Sequence, residues 1–451
     1  MTDCSDRKLS FSKAGCRKVE GDFEGGRLTS DGGALLLREA DRQLGLTEAL
    51  SSGIPDSRDE RYTEHTQREM LAQRIFGIAL GYPDLNDHDE LRRDPALQVA
   101  ADREPDPQEE LASAPTLCRL SDRINRDALW GMAEVPIESF IASRPAPPQR
   151  LTLDFDATDD PVFGQQEGRF FHGYYDEYCF LPLYVHCGDW LLVAYLRSAG
   201  RDPALHSRAI LKMLVRRFRR EWPEVQIVVR GDSDFSRPRI MRWCERNDVT
   251  YILGLRSNAV LKRRSDRWIE EVREGLELTG SPQRIFEDFQ YAAGSWETER
   301  KVIAKAEYNH EGPNRRFVVT NLDGPARRLY QDVYCARGEM ENRIKEHQLG
   351  LFADRTSCQR FLANQFRLLL AAAAYVLVQQ LRSILLAGTD LARAQVRTIR
   401  EKLFKIGARV RCSVRRIVFH FAGGYPLKGL LRRIVGKLPS GSDPPVSPVS
   451  P

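Results

Sequence analysis

The stretch Leu151-Thr152-Leu153-Asp154-Phe155-Asp156-Ala157-Thr158 decides how this chain is read. Leu151, Leu153 and Phe155 alternate with Thr152, Asp154 and Asp156, the period of a strand with an apolar face and two carboxyls on the other face. The arrangement recurs downstream, where Val225 to Val229 reads as a short buried strand ending at Arg230-Gly231-Asp232-Ser233-Asp234-Phe235. A third acid, Glu341, belongs to Tyr334-x2-Arg337-x3-Glu341, which has helical spacing. At about 100° per residue Tyr334, Arg337, Glu341, Lys345 and Gln348 share one narrow stripe, while Glu339 points away. Carboxylates gathered in this way have few uses other than holding divalent cations.

Between the first two acids, Cys179 to Cys187 and Trp190 to Leu196 are strand-like runs separated by Gly188-Asp189, which suits a hairpin turn. An amphipathic helix follows over about Pro203 to Arg220, with Ile210, Leu211, Leu214, Val215 and Phe218 as its apolar stripe. A helix around Pro238 to Arg246 and a strand Tyr251 to Leu255 complete the series. Three antiparallel strands followed by helix, strand, helix and strand is the order expected of a ribonuclease H-like α/β core. A doubly wound nucleotide-binding domain would alternate from the start and carry a Gly-rich phosphate loop after its first strand, which this sequence lacks. The polar text from about 258 to 332, with strand-like runs at Val302 to Ala306 and Phe317 to Thr320, reads as a β-rich insertion in a catalytic domain spanning 151–390.

A chain of 451 residues predicts two or three domains, and 42% apolar with 29% charged residues excludes a disordered or fibrous protein. The apolar stretch Leu368 to Val378 is shorter than a membrane span and predicts a buried helix, so no membrane partner is expected. The polar start and nine cysteines without a C-x-x-C pair point to a reducing cytoplasm, and to the nucleoid if the partner is DNA. Residues 1–141 show helical spacing, as in Leu35, Leu36, Ala40 and Leu44, and predict an all-helical region, with Thr29-Ser30-Asp31 as a helix-start cluster. The Pro-rich segment within 142–150 reads as a linker and the Pro- and Ser-rich tail 438–451 as disorder.

Charge is unevenly divided. Residues 1–150 hold 20 Lys+Arg against 28 Asp+Glu, a balance of −8, whereas 391–437 hold 13 basic residues and only Glu401, a balance of +12. This basic C-terminal region, read as helical and including Arg409, Arg411, Arg415 and Arg416, is suited to neutralising a phosphate backbone. In the acidic N-terminal region only local patches such as Arg7, Lys8, Lys13, Arg17 and Lys18 are available to contact DNA.

These motifs resemble those of a DDE insertion-sequence transposase of the branch with a Y-x2-R-x3-E-x6-K signature, most like the insertion-sequence thirteen-eighty family. The resemblance is carried by Asp154 to Asp160, Gly164-Gln165-Gln166-Glu167-Gly168, His172-Gly173-Tyr174-Tyr175, Arg230 to Phe235 and Tyr334 to Lys345. It implies cut-and-paste movement of a mobile element by a ribonuclease H-like domain with a β-rich insertion and a helical N-terminal DNA-binding region. The family's D-x-T pattern selects Asp156 with Thr158, and its second metal ligand matches Asp232 rather than Asp234. Asp156, Asp232 and Glu341 are then the catalytic acids, with Asp154 as a further metal ligand deeper in the row and Asp159 and Asp160 as loop residues. Two Mg²⁺ ions, replaceable by Mn²⁺, are implied, with Tyr334, Arg337 and Lys345 gripping phosphates. The signature's final Lys is Gln348 here, which leaves Lys345 as the alternative contact. Trp296 is a candidate for stacking on a flipped base. The implied partners are transposon-end inverted repeats and target DNA, bound by a homodimer on paired ends. Two other classes fit the acids: a noncatalytic DNA-binding descendant and a nonspecific ribonuclease H-like nuclease.

Overall fold

Eight strands form one mixed sheet, and its strand order is what positions the acids. In the computed structural model, which describes residues 9–106 and 108–438, the chain divides into two units. One is Ile124–Ala372; the other combines Met1–Arg123 with Ala373–Ser450. This division is not the serial one expected from the Pro-rich segment. Helix α1 (Arg126–Ala142), assigned to the N-terminal region by sequence, places Ile137, Phe140 and Ile141 in the same core as the sheet.

The sheet strands are β1 (Arg150–Ala157), β2 (Leu183–Cys187), β3 (Trp190–Tyr195), β4 (Gln226–Gly231), β5 (Thr250–Leu255), β6 (Gln283–Tyr291), β7 (Arg300–Asn309) and β8 (Gly312–Thr320). Their order across the sheet is β6-β7-β8-β5-β4-β1-β2-β3. β1, β4 and β5 are parallel to one another and every other pairing is antiparallel. The segment 258–332, read as an insertion, supplies β6, β7 and β8 to this same sheet. β8 hydrogen-bonds directly to β5, so β6, β7 and β8 extend the sheet.

One sheet face carries the main core. Leu151, Leu153 and Phe155 of β1, Ile227 and Val229 of β4, and Tyr251 and Leu253 of β5 all join one buried cluster. Helix α2 (Ser207–Glu221) adds Leu211, Leu214, Val215 and Phe218, and helix α3 (Pro238–Arg246) adds Ile240, Met241 and Cys244. Helices α4 (Ala259–Arg264) and α5 (Asp266–Thr279) add Leu261, Trp268, Ile269 and Val272. Each such side chain contributes roughly 1.5–3 kcal/mol by leaving water. The opposite face holds the alternate residues, and a second cluster of Ile252, Ile303 and Val318 receives Ala326, Leu329 and Tyr330 from a helical segment. The acids lie on this second face, because strand alternation sends them there whenever their neighbours enter the core.

The run Cys179 to Cys187 is two strands. Glu177–Phe180 pairs with Asp160–Pro161 and Phe170–His172 in a small separate sheet, and the chain re-enters the main sheet at Leu183. Pro182 lies at the break and has no N–H to donate to a ladder. Helix α6 (Gly338–Lys345) carries Glu341, and α7 (Phe361–Ile384) contains the apolar run Leu368 to Val378. α7 is long and apolar enough to cross a membrane, yet 83% of its most apolar window is buried within the protein, as for a core helix.

The other unit departs from expectation at both termini. Residues 1–141 are not all helical: Leu9–Ala14 and Arg17–Gly21 form a hairpin, and Leu28–Thr29 is a third strand. The first helix of the region begins at Ala34 with Gly33 as its cap, so Thr29-Ser30-Asp31 does not cap it. Asp31 is instead buried and accepts from Tyr82 Oη at 2.9 Å and Lys405 Nζ at 2.7 Å. The basic region 391–437 is not wholly helical. It contains a hairpin of β9 (Ala408–Ser413) and β10 (Arg416–Phe421), on which Arg409, Arg411 and Arg416 reside, with Arg415 in the connecting turn. The tail from 439 onward, and the patch residues Arg7 and Lys8, lie outside the described residues.

Candidate active site

β1 and β4 run parallel as neighbours, with Asp154 opposite Arg230 and Phe155 opposite Gly231. Continuing that register by one residue sets Asp156 beside Asp232 at the carboxyl ends of both strands. The sheet order reverses direction here, between β1-β2-β3 on one side and β4-β5 on the other, and such switch points open a crevice at strand ends.

The third acid arrives on a helical segment packed over the same face. It is not a uniform α-helix: Leu329–Tyr334 is a π-helical turn, Cys335–Arg337 a 3₁₀ turn, Gly338–Lys345 is α-helical and Glu346–Gly350 is π-helical again. The even stripe read from the sequence therefore holds only locally. Arg337 and Glu341 remain one turn apart and contact through Nη1 and Oε1 at 3.4 Å. Arg337 also reaches Asp156, with Nη2 2.9 Å from Oδ1, so one guanidinium bridges the first and third acids. Tyr334 packs against Tyr330, and its hydroxyl approaches Gly254 of β5 beside the Asp232 backbone. A Cβ at Gly254 would lie 2.8 Å from both Tyr334 Oη and Ser233 N, so only glycine lets these groups converge.

Electrostatics tie the acids together. Burial pushes the Asp156 carboxyl up, Arg337 opposes the rise, and the negative charges of Asp232 and Glu341 add to it, leaving it at about 6. Asp232 is likewise raised, first by burial and then by the charge of Asp234. An acid whose folded pKa lies above its unfolded value destabilises the fold once ionised. The penalty begins as pH rises past about 4 and is complete above about 6. Asp156→Asn is therefore expected to raise the melting temperature at pH 7.5, with the gain shrinking to nothing as pH falls below about 4. Thermal unfolding of both proteins across that range checks the sign; a gain that grows on acidification would contradict it.

Asp154, the further metal ligand that the resemblance implies, is held in an ion pair. Its side chain is 1% exposed and both oxygens are taken by Arg230, Nε to Oδ1 at 2.5 Å and Nη2 to Oδ2 at 2.7 Å. Arg230 spends its remaining nitrogen on the Val333 carbonyl at 2.7 Å, tying the strand to the helical segment. Asp234, the rival to Asp232, is held in an ion pair with Arg256, while its backbone N–H donates to Asp232 Oδ1 at 2.8 Å. Lys345 is exposed, and Gln348 donates to the Asp159 carbonyl at 3.0 Å rather than facing solvent. Asp160 is no loop residue: it is buried in a short strand, and burial pushes its carboxyl to about 8, so it is largely protonated at neutral pH.

Trp296 is partly buried. Its ring packs against the main cluster, meets Tyr291 edge-on at 5.5 Å and lies under Arg300 at 5.3 Å. Arg409, Arg411, Arg415 and Arg416 lie in the other unit, all exposed. Sequence reasoning missed Arg230, Gly254 and Arg256. Arg230 was visible directly before Gly231-Asp232, but its partner became apparent only with the β1–β4 register.

The donor chemistry fits a divalent cation: the Asp156 carboxyl is held up by burial and by the charges of two further acids on other elements, a repulsion that a metal ion relieves. Among the described residues no three acidic, His or Cys groups converge closely enough to hold one, and Arg337 supplies the positive charge between Asp156 and Glu341.

No curated protein matches the chain. A cryo-EM structure of a piggyBac transposase synaptic complex with hairpin DNA aligns with a TM-score of 0.40 at 12% identity, covering 94% of this chain and 88% of that one. The family model described as transposase DDE domain group 1 matches residues 11–442, nearly the whole length. The chain belongs to the DDE transposases of domain group 1.

Proposed function

We propose that this DDE transposase is a cut-and-paste enzyme of the insertion-sequence thirteen-eighty branch, with a ribonuclease H-like core and Asp156, Asp232 and Glu341 as its catalytic acids. The observation that carries this reading is geometric: the β1–β4 register sets Asp232 beside Asp156, and the Arg337 guanidinium contacts both Asp156 and Glu341. DDE transposases generally use divalent metal ions. Two Mg²⁺ ions, or Mn²⁺ in their place, would be held by these three carboxylates and would activate the attacking oxygen and stabilise the leaving one. Arg337 would exchange its carboxylate contacts for a bidentate grip on a phosphate, with Tyr334 as hydroxyl donor and the exposed Lys345 as a point charge. In this reading one strand at each element end is hydrolysed, and the liberated 3′-hydroxyl then attacks target DNA at the same site. A homodimer would hold the two inverted-repeat ends.

The test is cleavage of a labelled duplex carrying the element's own end, with Mg²⁺ and a target plasmid. The expected products are a nick at the element boundary and a joined plasmid species. Binding without cleavage would support a noncatalytic DNA-binding descendant instead. Equal cutting of unrelated duplexes would support a nonspecific nuclease.

A further inference from the structure

The hairpin β9–β10 sorts its side chains by face. Directly opposite residues on antiparallel strands share a face. The pairs Arg409–His420, Arg411–Val418 and Ser413–Arg416 define one side, and Ala408–Phe421, Val410–Phe419 and Cys412–Ile417 the other. The apolar side is anchored. Ala408 and Val410 are buried, a Cβ on Gly32 would lie 2.9 Å from the Phe421 ring, and Cys412 Sγ donates to the Pro105 carbonyl at 3.7 Å. β9 also pairs with Leu28–Thr29, which fixes the base of the hairpin. The polar side is left facing out: Arg409, Arg411 and Arg416 are exposed, and none enters an ion pair among the described residues. No Asp or Glu occurs between Lys402 and Leu438, so the hairpin itself carries no neutralising charge. Three arginines held outward on an anchored ribbon without ion-pair partners form a preorganised cationic surface suited to a polyanion.

We propose that β9–β10 is a two-stranded ribbon that enters the major groove of duplex DNA, with Arg409, Arg411 and Arg416 meeting phosphates and base edges. The major groove, about 12 Å wide, admits such a ribbon, whereas the minor groove, about 6 Å wide, does not. Residues two apart on a strand are separated by about 7 Å, far enough for Arg409 and Arg411 to meet separate phosphates. Val418, opposite Arg411 on the same face, offers an apolar contact of the kind thymine methyl groups accept. The inference rests on the transposase reading for its choice of duplex DNA as ligand, and it adds a recognition element in the unit that does not contain the acids.

The experiment is fluorescence anisotropy of the full-length protein on a labelled duplex carrying the element end, in EDTA, across a salt series. Arg409→Ala/Arg411→Ala/Arg416→Ala is expected to weaken binding at least about tenfold near physiological salt. It should also flatten the plot of log affinity against log salt by about 2 to 3, since each lost phosphate contact removes about 0.9. The triple Arg→Lys variant should keep most of the slope and lose preference for the end sequence, because Lys lacks bidentate base contacts. Melting temperatures of all three proteins should agree. Unchanged affinity and slope in the Ala variant would overturn the proposal. So would equally tight binding of duplex RNA by the wild type, because the narrow major groove of A-form RNA excludes a ribbon. Metal-free binding does not depend on the acids. Loss of binding in the Ala variant beside a wild type that never cleaves leaves the ribbon standing and the catalytic reading fallen; a cleaving wild type with an unaffected Ala variant gives the reverse.

Discussion

Asp232→Asn should reduce metal-dependent cleavage at the element end by about 10³-fold or more, with duplex binding in EDTA unchanged. The substitution keeps the shape and the acceptor that receives the Asp234 N–H, so the turn after β4 survives. What it removes is negative charge, and a neutral amide oxygen is a weak ligand for a hard divalent cation. Asp156→Asn and Glu341→Gln should lose activity to a similar degree. Glu341 is half exposed and its loss leaves the fold intact, which makes it the cleaner variant. Since the acids act as one unit, a double variant should be little worse than either single one. Cleavage by Asp232→Asn within tenfold of wild type would remove this residue from the site and reopen the case for Asp234.

Asp154→Ala tests the opposite assignment through stability. Removing the carboxylate leaves the Arg230 guanidinium, itself nearly buried, without its bidentate partner, and breaking a buried pair from one side costs about 3–5 kcal/mol. For a unit of this size that corresponds to a melting temperature lower by on the order of 10 °C. The double variant Asp154→Leu/Arg230→Met should recover most of the loss, because burying two apolar side chains avoids desolvating two charges. A metal ligand would give a different pattern: metal-dependent activity lost, melting temperature nearly unchanged, and no rescue by the second substitution. Differential scanning calorimetry of the three proteins separates the two outcomes.

Local sequence determined a great deal about this protein. Alternation in Leu151 to Asp156 was enough to set a strand and its two faces, and the Ile210 to Phe218 stripe was enough to set a helix, because both depend on contacts within one element. The helix Pro238–Arg246 appears with the bounds the sequence implies, opened by a proline at its first turn. The acids Asp156, Asp232 and Glu341 were legible as residues in unusual places. Features that depend on two distant segments were not legible. Asp154 and Asp156 look equivalent in the sequence, yet the β1–β4 register places Arg230 across from one and Asp232 beside the other, so one is neutralised within the sheet and the other sits next to a second acid, with Arg337 from the helical segment as its counter-charge. Nothing in the residues of the strands after 258 names β5 as their partner; hydrogen-bond pairing across the sheet decided that. The same holds at the C-terminus, where a run of arginines spaced for any exposed element became one face of a ribbon once its apolar partners found Gly32 and Thr29. Period along the chain is a local property, and the sequence carries it outright. Which charge meets which depends on packing between segments far apart in the chain, and only the tertiary structure settles it.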